Sequence, residues 1–106
     1  MINKRFLLVA TVSTDNPEAI RPILEKLIGP HGSFKEVSAE DIDQRGKGEF
    51  LIQAEIEGIN AKDLNRSLLS ALRRVEKRTR LRAEWSSGNT AERYFDYVLK
   101  KKTIRK

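Results

Sequence analysis

Basic side chains recur between residues 62 and 80 at a spacing suited to binding phosphate. Residues 58–82 carry eight Lys and Arg against two Asp and Glu. At about 100° per residue of a helix, five of these cations project within one narrow arc, opposite a stripe of leucines. The five are Lys62, Arg66, Arg73, Lys77 and Arg80. Such a row is roughly 27 Å long at ~1.5 Å per residue and passes several phosphates of a nucleic acid.

Other cations adjoin this row, and together they form the predicted nucleic-acid-binding site. Arg74 and Arg78 lie in the same segment, and the chain ends in a lysine-rich tail. The predicted site comprises Lys62, Arg66, Arg73, Arg74, Lys77, Arg78, Arg80, Lys100, Lys101 and Lys102. We expect structured RNA or another polyanion as the partner. Because phosphate contacts release counterions and carry no sequence information, binding should be steeply salt-dependent and largely sequence-independent.

Simpler interpretations of these charges stay open. The chain has a net charge of +6 and 34% charged residues, and a composition this rich in charge is common in heat-adapted proteins. The basic row is then a solvated helix face and the tail a solubilising terminus. The alternative function is a homodimeric protein–protein interaction module or a small-ligand regulatory domain.

The residue types that most enzymes and metal sites require are scarce. The chain has no cysteine, which excludes disulfides, thiolate zinc sites, iron–sulfur clusters and cysteine nucleophiles. Its one histidine, His31, lies in a Gly-Pro-His-Gly loop without a neighbouring base. Glu40, Asp41 and Asp43 form an acidic cluster of a kind that binds hard cations, but carboxylates before a turn are usually solvated. We expect no catalysis and no cofactor.

Hydrophobic periodicity predicts the elements that position the cations. Asn16 and Asn60 are suited to cap two helices, and Pro17 favours the first position of the earlier one. Alternating apolar residues predict strands around these helices. In order, the predicted elements are a strand over 6–12, a helix over 17–28, strands over 34–42 and 50–56, a helix from 61 to about 79, and a strand over 80–85.

Residues 89–99 fit two structures. Asn89 and Glu92 resemble a capping box, and the following apolar residues share one helical face. The same segment is rich in strand-forming residues and fits a hairpin with the preceding strand, through a turn at 86–89. We favour the helix and keep the hairpin as the alternative.

The predicted order of strand, helix, strand, strand, helix and strand is typical of the ferredoxin-like fold. We therefore predict an α+β fold, namely a ferredoxin-like βαββαβ two-layer sandwich with an antiparallel sheet and a C-terminal helical (or strand) extension. A chain of 106 residues accommodates one core. Residues 1–99 are expected to form a single domain, and residues 100–106 a basic tail.

The face of the predicted sheet away from the helices carries an apolar patch that needs a cover. The patch consists of Leu7, Val9 and Leu51. Either the C-terminal segment or a second subunit is expected to cover it. Trp85 falls on the opposite, inner face, so we expect it in the core. The two tyrosines, Tyr94 and Tyr97, are expected to cover the core rather than to stack on RNA bases.

Residues 45–50, Arg-Gly-Lys-Gly-Glu-Phe, resemble the first ribonucleoprotein motif of the RNA-recognition-motif family. Arg45, Gly46 and Gly48 match the motif, whereas Lys and Glu stand at the positions of its stacking aromatic residues. The resemblance implies RNA binding on a sheet face, on which bases stack against those aromatics. Because the aromatics are replaced, we expect residues 45–48 to be a turn.

Residues 12–20, Val-Ser-Thr-Asp-Asn-Pro-Glu-Ala-Ile, are similar to the first strand and helix of amino-acid-binding ACT domains. In that family a small ligand lies between these two elements of paired subunits. Pro17 and Glu18 stand where a glycine is usual near the helix start. The similarity implies pairing of subunits through sheets or helices.

The apolar stretches of the chain are short. None reaches the length of a membrane span, and the first residues lack the apolar core of a signal peptide. We therefore expect a cytoplasmic protein that does not bind membranes.

Overall fold

One six-stranded antiparallel sheet dominates the fold. A computed structural model describes residues 3–37 and 48–100 of the chain. Its elements, in chain order, are β1 (Lys4–Thr14), α1 (Pro17–Leu27), β2 (Gly32–Val37), β3 (Gly48–Gly58), α2 (Ala61–Val75), β4 (Arg80–Ser87), β5 (Thr90–Phe95) and β6 (Val98–Lys100). The strands lie in the order β2-β3-β1-β4-β5-β6, and every neighbouring pair is antiparallel.

Both helices begin where their capping residues predict. The Asn16 side chain accepts a hydrogen bond from the Ala19 N–H at 3.2 Å. The Asn60 side chain accepts one from the Asp63 N–H at 2.8 Å. Each amide oxygen thereby satisfies one of the backbone donors that a helix start leaves unpaired, so both predicted starts are confirmed.

Helix α2 is shorter than its sequence pattern predicts. It ends at Val75, and the next residue, Glu76, has an extended backbone with φ −140°. The Thr79 N–H then donates to the Glu76 carbonyl at 3.1 Å. The buried Thr79 hydroxyl lies 3.1 Å from the hydroxyl of Thr14 on β1, with which it forms a hydrogen bond. Residues 76–79 are therefore a loop, fixed by a contact that is distant in sequence.

The core lies between the two helices and one face of the sheet. Along β1 every second side chain is buried, and these side chains pack with apolar residues of α1, α2, β3 and β4. Trp85 is 1% exposed, which confirms its predicted core position, and its ring meets that of Phe6 edge-on at 6.4 Å. Within the described residues no helix covers the opposite face, where Leu7 and Val9 are 47% and 46% exposed.

The predicted fold class is wrong. The sequence predicts a ferredoxin-like βαββαβ sandwich with a C-terminal helical (or strand) extension, whereas the described ranges form a six-stranded antiparallel sheet with two helices. Three strands, β4, β5 and β6, follow α2 in succession and widen the sheet on one side. The protein therefore has an α+β fold built on this wider sheet.

Strand pairing explains why the C-terminal segment is not helical. The β4–β5 turn places Gly88 at φ +60°, a conformation that glycine adopts without strain. The resulting register pairs Trp85 with Glu92. Tyr94 then lies in the core, while Phe95 lies on the open face and is 44% exposed. The apolar residues of this segment therefore lie on both faces of a sheet, rather than along one face of a helix.

Four predictions lie partly or wholly outside the described residues. They concern residues 38–42 of the strand predicted over 34–42, the acidic cluster at 40–43, residues 45–47 of the ribonucleoprotein-like segment and the tail at 101–106. Within the described ranges neither helix combines the length and the apolar character that crossing a membrane requires.

Candidate nucleic-acid interface

The cations of the predicted site gather around the turn between β5 and β6. Asp96 and Tyr97 form this two-residue turn, which the pairing of Phe95 with Val98 closes. Asp96 has φ 57°, in the left-handed region that Asp and Asn enter more readily than most residues. Its side chain is therefore presented on the inside of the turn, toward the start of β4.

Three hydrogen bonds fix the backbone and carboxylate of Asp96. Its N–H donates to the Leu81 carbonyl at 2.7 Å. Its carboxylate oxygen Oδ1 accepts from the Leu81 N–H at 2.9 Å. Its own carbonyl accepts from the Asn65 side-chain amide at 2.8 Å. The turn is consequently tied to both β4 and α2.

Asn65 links this turn to the core. It is 1% exposed, and its Oδ1 accepts a hydrogen bond from the Trp85 indole Nε1–H at 3.1 Å. The Asn65 amide thus uses its acceptor on Trp85 and a donor on Asp96. A buried polar group costs free energy unless it is hydrogen-bonded, so this bridge favours a single position of the turn.

The Asp96 carboxylate holds two arginines. Arg80 Nε donates to Oδ2 at 3.1 Å, and Arg73 Nη2 lies 3.4 Å from Oδ1. Arg73 Nε also donates to the Thr79 carbonyl at 2.8 Å, and the Arg73 side chain is only 29% exposed. These two guanidinium groups are therefore oriented by the fold, and one carboxylate offsets part of their charge.

Other cations near the turn are not held in this way. Lys62, Arg66 and Lys77 are exposed, and none of them makes an ion pair with another described residue. Arg78 is 81% exposed, and its guanidinium lies 3.9 Å from the Asp15 carboxylate. Their positive charges are thus directed to solvent.

These cations line two adjoining clefts. The first, at the end of the sheet, has three acidic lining residues, Asp15, Glu49 and Asp96, and five basic ones, Arg73, Lys77, Arg78, Arg80 and Arg82. The second lies between α2 and the β5–β6 turn, and its charged lining residues are Lys62 and Arg66. We call these seven cations the basic band: Lys62, Arg66, Arg73, Lys77, Arg78, Arg80 and Arg82.

Two exposed aromatic rings lie along the basic band. Tyr97 is 49% exposed, lies 5.4 Å from the Arg73 guanidinium and hydrogen-bonds Ser70 through its hydroxyl at 3.2 Å. Phe95 lies on the open sheet face, with the guanidinium of Arg82 at 5.4 Å and the ammonium of Lys100 at 5.6 Å. The prediction that Tyr97 covers the core is therefore wrong.

Tyr94 behaves differently from Tyr97. It is 3% exposed, which confirms its predicted place in the core. Its hydroxyl donates to Glu92 at 2.8 Å. Burial, with a further contribution from this hydrogen bond, raises the pKa of Tyr94 to about 12. Tyr94 therefore stays neutral at physiological pH, and it lines the inner wall of the second cleft.

The prediction of one continuous helical row over residues 62–80 is wrong in its second half. Because α2 ends at Val75, Lys77 lies in the following loop and Arg80 on β4. Both residues nevertheless line the first cleft together with Arg73. The Asp96–Tyr97 turn, rather than one helix face, brings these cations together.

The remaining predicted site residues lie apart from the clefts or outside the described ranges. Arg74 is exposed on α2 but points about 100° away from Arg73 and lines neither cleft. Lys100 lies on β6, beside Phe95. Lys101 and Lys102 lie outside the described residues.

The residues that organise the site are not those that the charge pattern indicates. Asp96, Asn65 and Arg82 do not belong to the predicted site, although the first two fix its geometry. A signal for Asp96 exists in the sequence, because an Asp between two apolar pairs is typical of a tight hairpin turn. Asn65 carries no comparable signal, since an Asn inside a helix most often faces solvent.

Other candidate chemistry finds little support in the described part of the chain. Residues 3–37 and 48–100 contain no group of three His, Asp or Glu side chains arranged to hold a metal ion. His31 is exposed, and its carbonyl accepts a hydrogen bond from the Glu55 N–H at 3.1 Å. Its observed role is thus a backbone contact at the start of β2.

Comparison with protein-family models, curated proteins and solved structures returns no match to this chain. We therefore infer function from contacts, exposure and charge alone.

Proposed function

We propose that the protein is a non-catalytic module that binds structured RNA through the basic band. The observation that carries this proposal is the meeting of seven cations, from α2, the 76–79 loop and β4, around the Asp96–Tyr97 turn. Among the described residues, three carboxylates line the same clefts. Phosphate groups of an RNA strand would supply the missing negative charge.

The arrangement of the cations favours a polymer over a small anion. The second cleft lies on α2, where Lys62 and Arg73 are separated by about 17 Å along the helix axis. The first cleft extends the charge around the turn onto β4. A single phosphate contacts only one part of such a surface, whereas a strand of RNA contacts several parts and releases a counterion at each.

The exposed rings favour RNA that has unpaired bases next to its stem. Unpaired bases stack on aromatic side chains and on arginine planes, while the phosphates of the stem meet basic residues. Tyr97 presents a half-exposed ring whose partner in the chain is Arg73. Arg73, Arg80 and Arg82 offer planar donor groups suited to phosphate. Lys100 would add charge at the β6 edge.

Fluorescence anisotropy of a labelled RNA hairpin tests this proposal. The test variant is Lys62→Glu/Arg66→Glu/Lys77→Glu, because these three cations make no ion pair with other described residues. We expect an affinity loss on the order of 100-fold at low salt. Changes at such exposed positions leave the free energy of unfolding within about 0.5 kcal/mol each.

A matched control separates the basic band from net charge. The variant Lys4→Glu/Lys26→Glu/Arg74→Glu changes the net charge equally, at exposed positions outside both clefts. We expect it to retain most of the affinity. Equal loss in both variants would show attraction by net charge alone, and full binding by the test variant would rule out the basic band. Duplex DNA and heparin serve as competitors to establish that RNA is preferred.

A further inference from the structure

The open face of the sheet, opposite the helices, divides into two halves of opposite charge. The register places alternate side chains of all six strands on this face. On β2 and β3 its charged residues are Lys35, Glu49, Glu55 and Glu57. On β4, β5 and β6 they are Arg80, Arg82, Glu84, Arg93 and Lys100. One half therefore has an excess of negative charge and the other an excess of positive charge.

An uncovered apolar strip separates the two halves. It comprises Leu7 and Val9 on β1 and Leu51 on the adjacent β3, each 46–47% exposed. Leu51 pairs with Thr11, which is two residues from Val9 along β1 and lies on the same face of the sheet. The C-terminal segment does not cover this strip, because residues 90–100 extend the sheet as β5 and β6. Three adjacent half-exposed aliphatic side chains at the middle of a sheet form a surface suited to packing against another sheet.

We propose that a second copy of this chain covers the open face, in a face-to-face dimer whose two-fold axis runs parallel to β1. Such an axis keeps the strand direction and exchanges the two sides of β1. It therefore places β3 of one copy opposite β4 of the other. At the level of Ser13, which pairs with Glu49 on one side and Arg80 on the other, opposite charges then face each other across the interface.

The same symmetry aligns the rest of the face. At the level of Thr11, Leu51 faces Arg82 of the second copy, at the level of Val9, Gln53 faces Glu84, and at the level of Leu7, Glu55 faces Ser86. Leu7 and Val9 lie on the axis and face their own counterparts. Arg5 also lies on the axis, where it is ion-paired with Glu55 and Glu57 of its own chain. A two-fold axis perpendicular to the strands would instead set the acidic halves against each other, which costs free energy. Charge complementarity thus selects one of the two face-to-face arrangements.

This dimer does not depend on RNA binding, but it has a consequence for the basic band. An axis parallel to the strands leaves the Ser13 ends of both copies at the same end of the dimer. The 76–79 loops, which precede β4 at that end, are then also at the same end. The second copy covers Arg80 and Arg82, which lie on the open face. Lys62, Arg66 and Tyr97 line a cleft against α2, on the helix-covered side, and stay accessible.

Light scattering with size-exclusion chromatography at tens of micromolar tests the proposal through a pair of matched variants. Val9→Lys introduces a charge into the apolar strip, whereas Val75→Lys makes the same change at a valine of α2 that is 43% exposed and lies away from this face. We expect the wild type and Val75→Lys at twice the 12.2 kDa chain mass, and Val9→Lys at the monomer mass. A monomeric wild type, or a dimeric Val9→Lys protein, would overturn the proposal.

Two further variants test the orientation of the axis. Glu49→Arg and Arg80→Glu, taken singly, each place like charges across the interface and are expected to weaken the dimer, while the double variant restores the opposite charges at the level of Ser13. Because the chain has no cysteine, single Leu7→Cys and Val9→Cys proteins can be joined by a short bis-maleimide, since packed sheets lie about 10 Å apart. Cross-linking at both positions supports an axis along β1. A double variant no better than the singles, with cross-linking at neither position, would contradict it.

Discussion

Two groups of cations in the basic band differ in whether their side chains contact acceptors within the chain. Arg73 and Arg80 contact the Asp96 carboxylate, and Arg73 also donates to a backbone carbonyl. Lys62, Arg66 and Lys77 face solvent without an ion pair to another described residue. The first group contributes mainly to the fold, and the second is available to bind a partner. The position of a cation in the sequence does not tell whether it stabilises the fold or is available to a partner. Its contacts with carboxylate and carbonyl oxygens do.

The largest change in the free energy of unfolding should come from removing the Asp96 carboxylate, which contacts Arg73 and Arg80. In Asp96→Ala the Leu81 N–H loses an acceptor, two guanidinium groups lose their counter-charge, and alanine occupies a left-handed conformation. We expect a loss of about 2–4 kcal/mol in the free energy of unfolding. Urea denaturation measures this loss as a lower midpoint concentration, while the dependence of the free energy of unfolding on urea concentration stays unchanged.

The conservative variant Asp96→Asn keeps the acceptor at Oδ1 and tolerates the positive φ. We therefore expect it to cost about 1 kcal/mol, markedly less than the alanine variant. If both variants lower the free energy of unfolding equally, the hydrogen bond and the backbone conformation of Asp96 do not stabilise the turn.

A smaller effect should separate the two groups of cations directly. Arg73→Gln breaks the contacts with Asp96 and Thr79, so we expect it to lower the free energy of unfolding by about 1–2 kcal/mol. Arg66→Gln, on the same helix but without such contacts, should change it by less than about 0.5 kcal/mol. Thermal and urea unfolding of the two proteins, measured side by side, provide the check. Equal destabilisation would remove the distinction between the groups.

The smallest effect at neutral pH concerns the buried phenol of Tyr94, because this effect appears only at alkaline pH. The folded-state pKa of Tyr94, about 12, lies above the value of about 10 for an unfolded tyrosine. Folding therefore favours the protonated phenol, and this contribution to stability is complete below pH ~10 and is lost as the pH rises through about 12.

In a Tyr97→Phe protein, Tyr94 is the remaining tyrosine, so phenolate absorbance reports on it alone. We expect its titration midpoint at about 12 in the folded protein. A midpoint near ~10 with the fold intact would show that the Tyr94 phenol is solvated rather than buried.

Local signals in the sequence predict the starts of the elements better than their ends. Asn16 and Asn60 cap their helices as predicted, because a cap depends on residues three positions apart. The end of α2 depends on Thr79, whose hydroxyl bonds Thr14 across 65 residues of chain. No local pattern reports such a contact, and the helical periodicity of the basic residues continues past the real end.

The C-terminal hairpin and the candidate site are also hard to predict from sequence, because contacts between distant segments decide both. Residues 89–99 fit a helix or a strand, and what decides between them is pairing with β4, which is already placed by β1. The Asp96 turn then assembles the basic band from three segments. The sequence therefore predicts which cations are present and that they are in excess, but not which of them the fold already holds.

The salt dependence of RNA binding tests the central claim most directly, namely that the cations without ion pairs bind phosphate. Anisotropy titrations of the RNA hairpin at several salt concentrations are compared for the wild type and Lys62→Glu/Arg66→Glu/Lys77→Glu. Each phosphate contact contributes roughly 0.7–0.9 to the slope of log affinity against log salt, so the variant slope should be shallower by about 2–3. Equal slopes in the two proteins would contradict the claim.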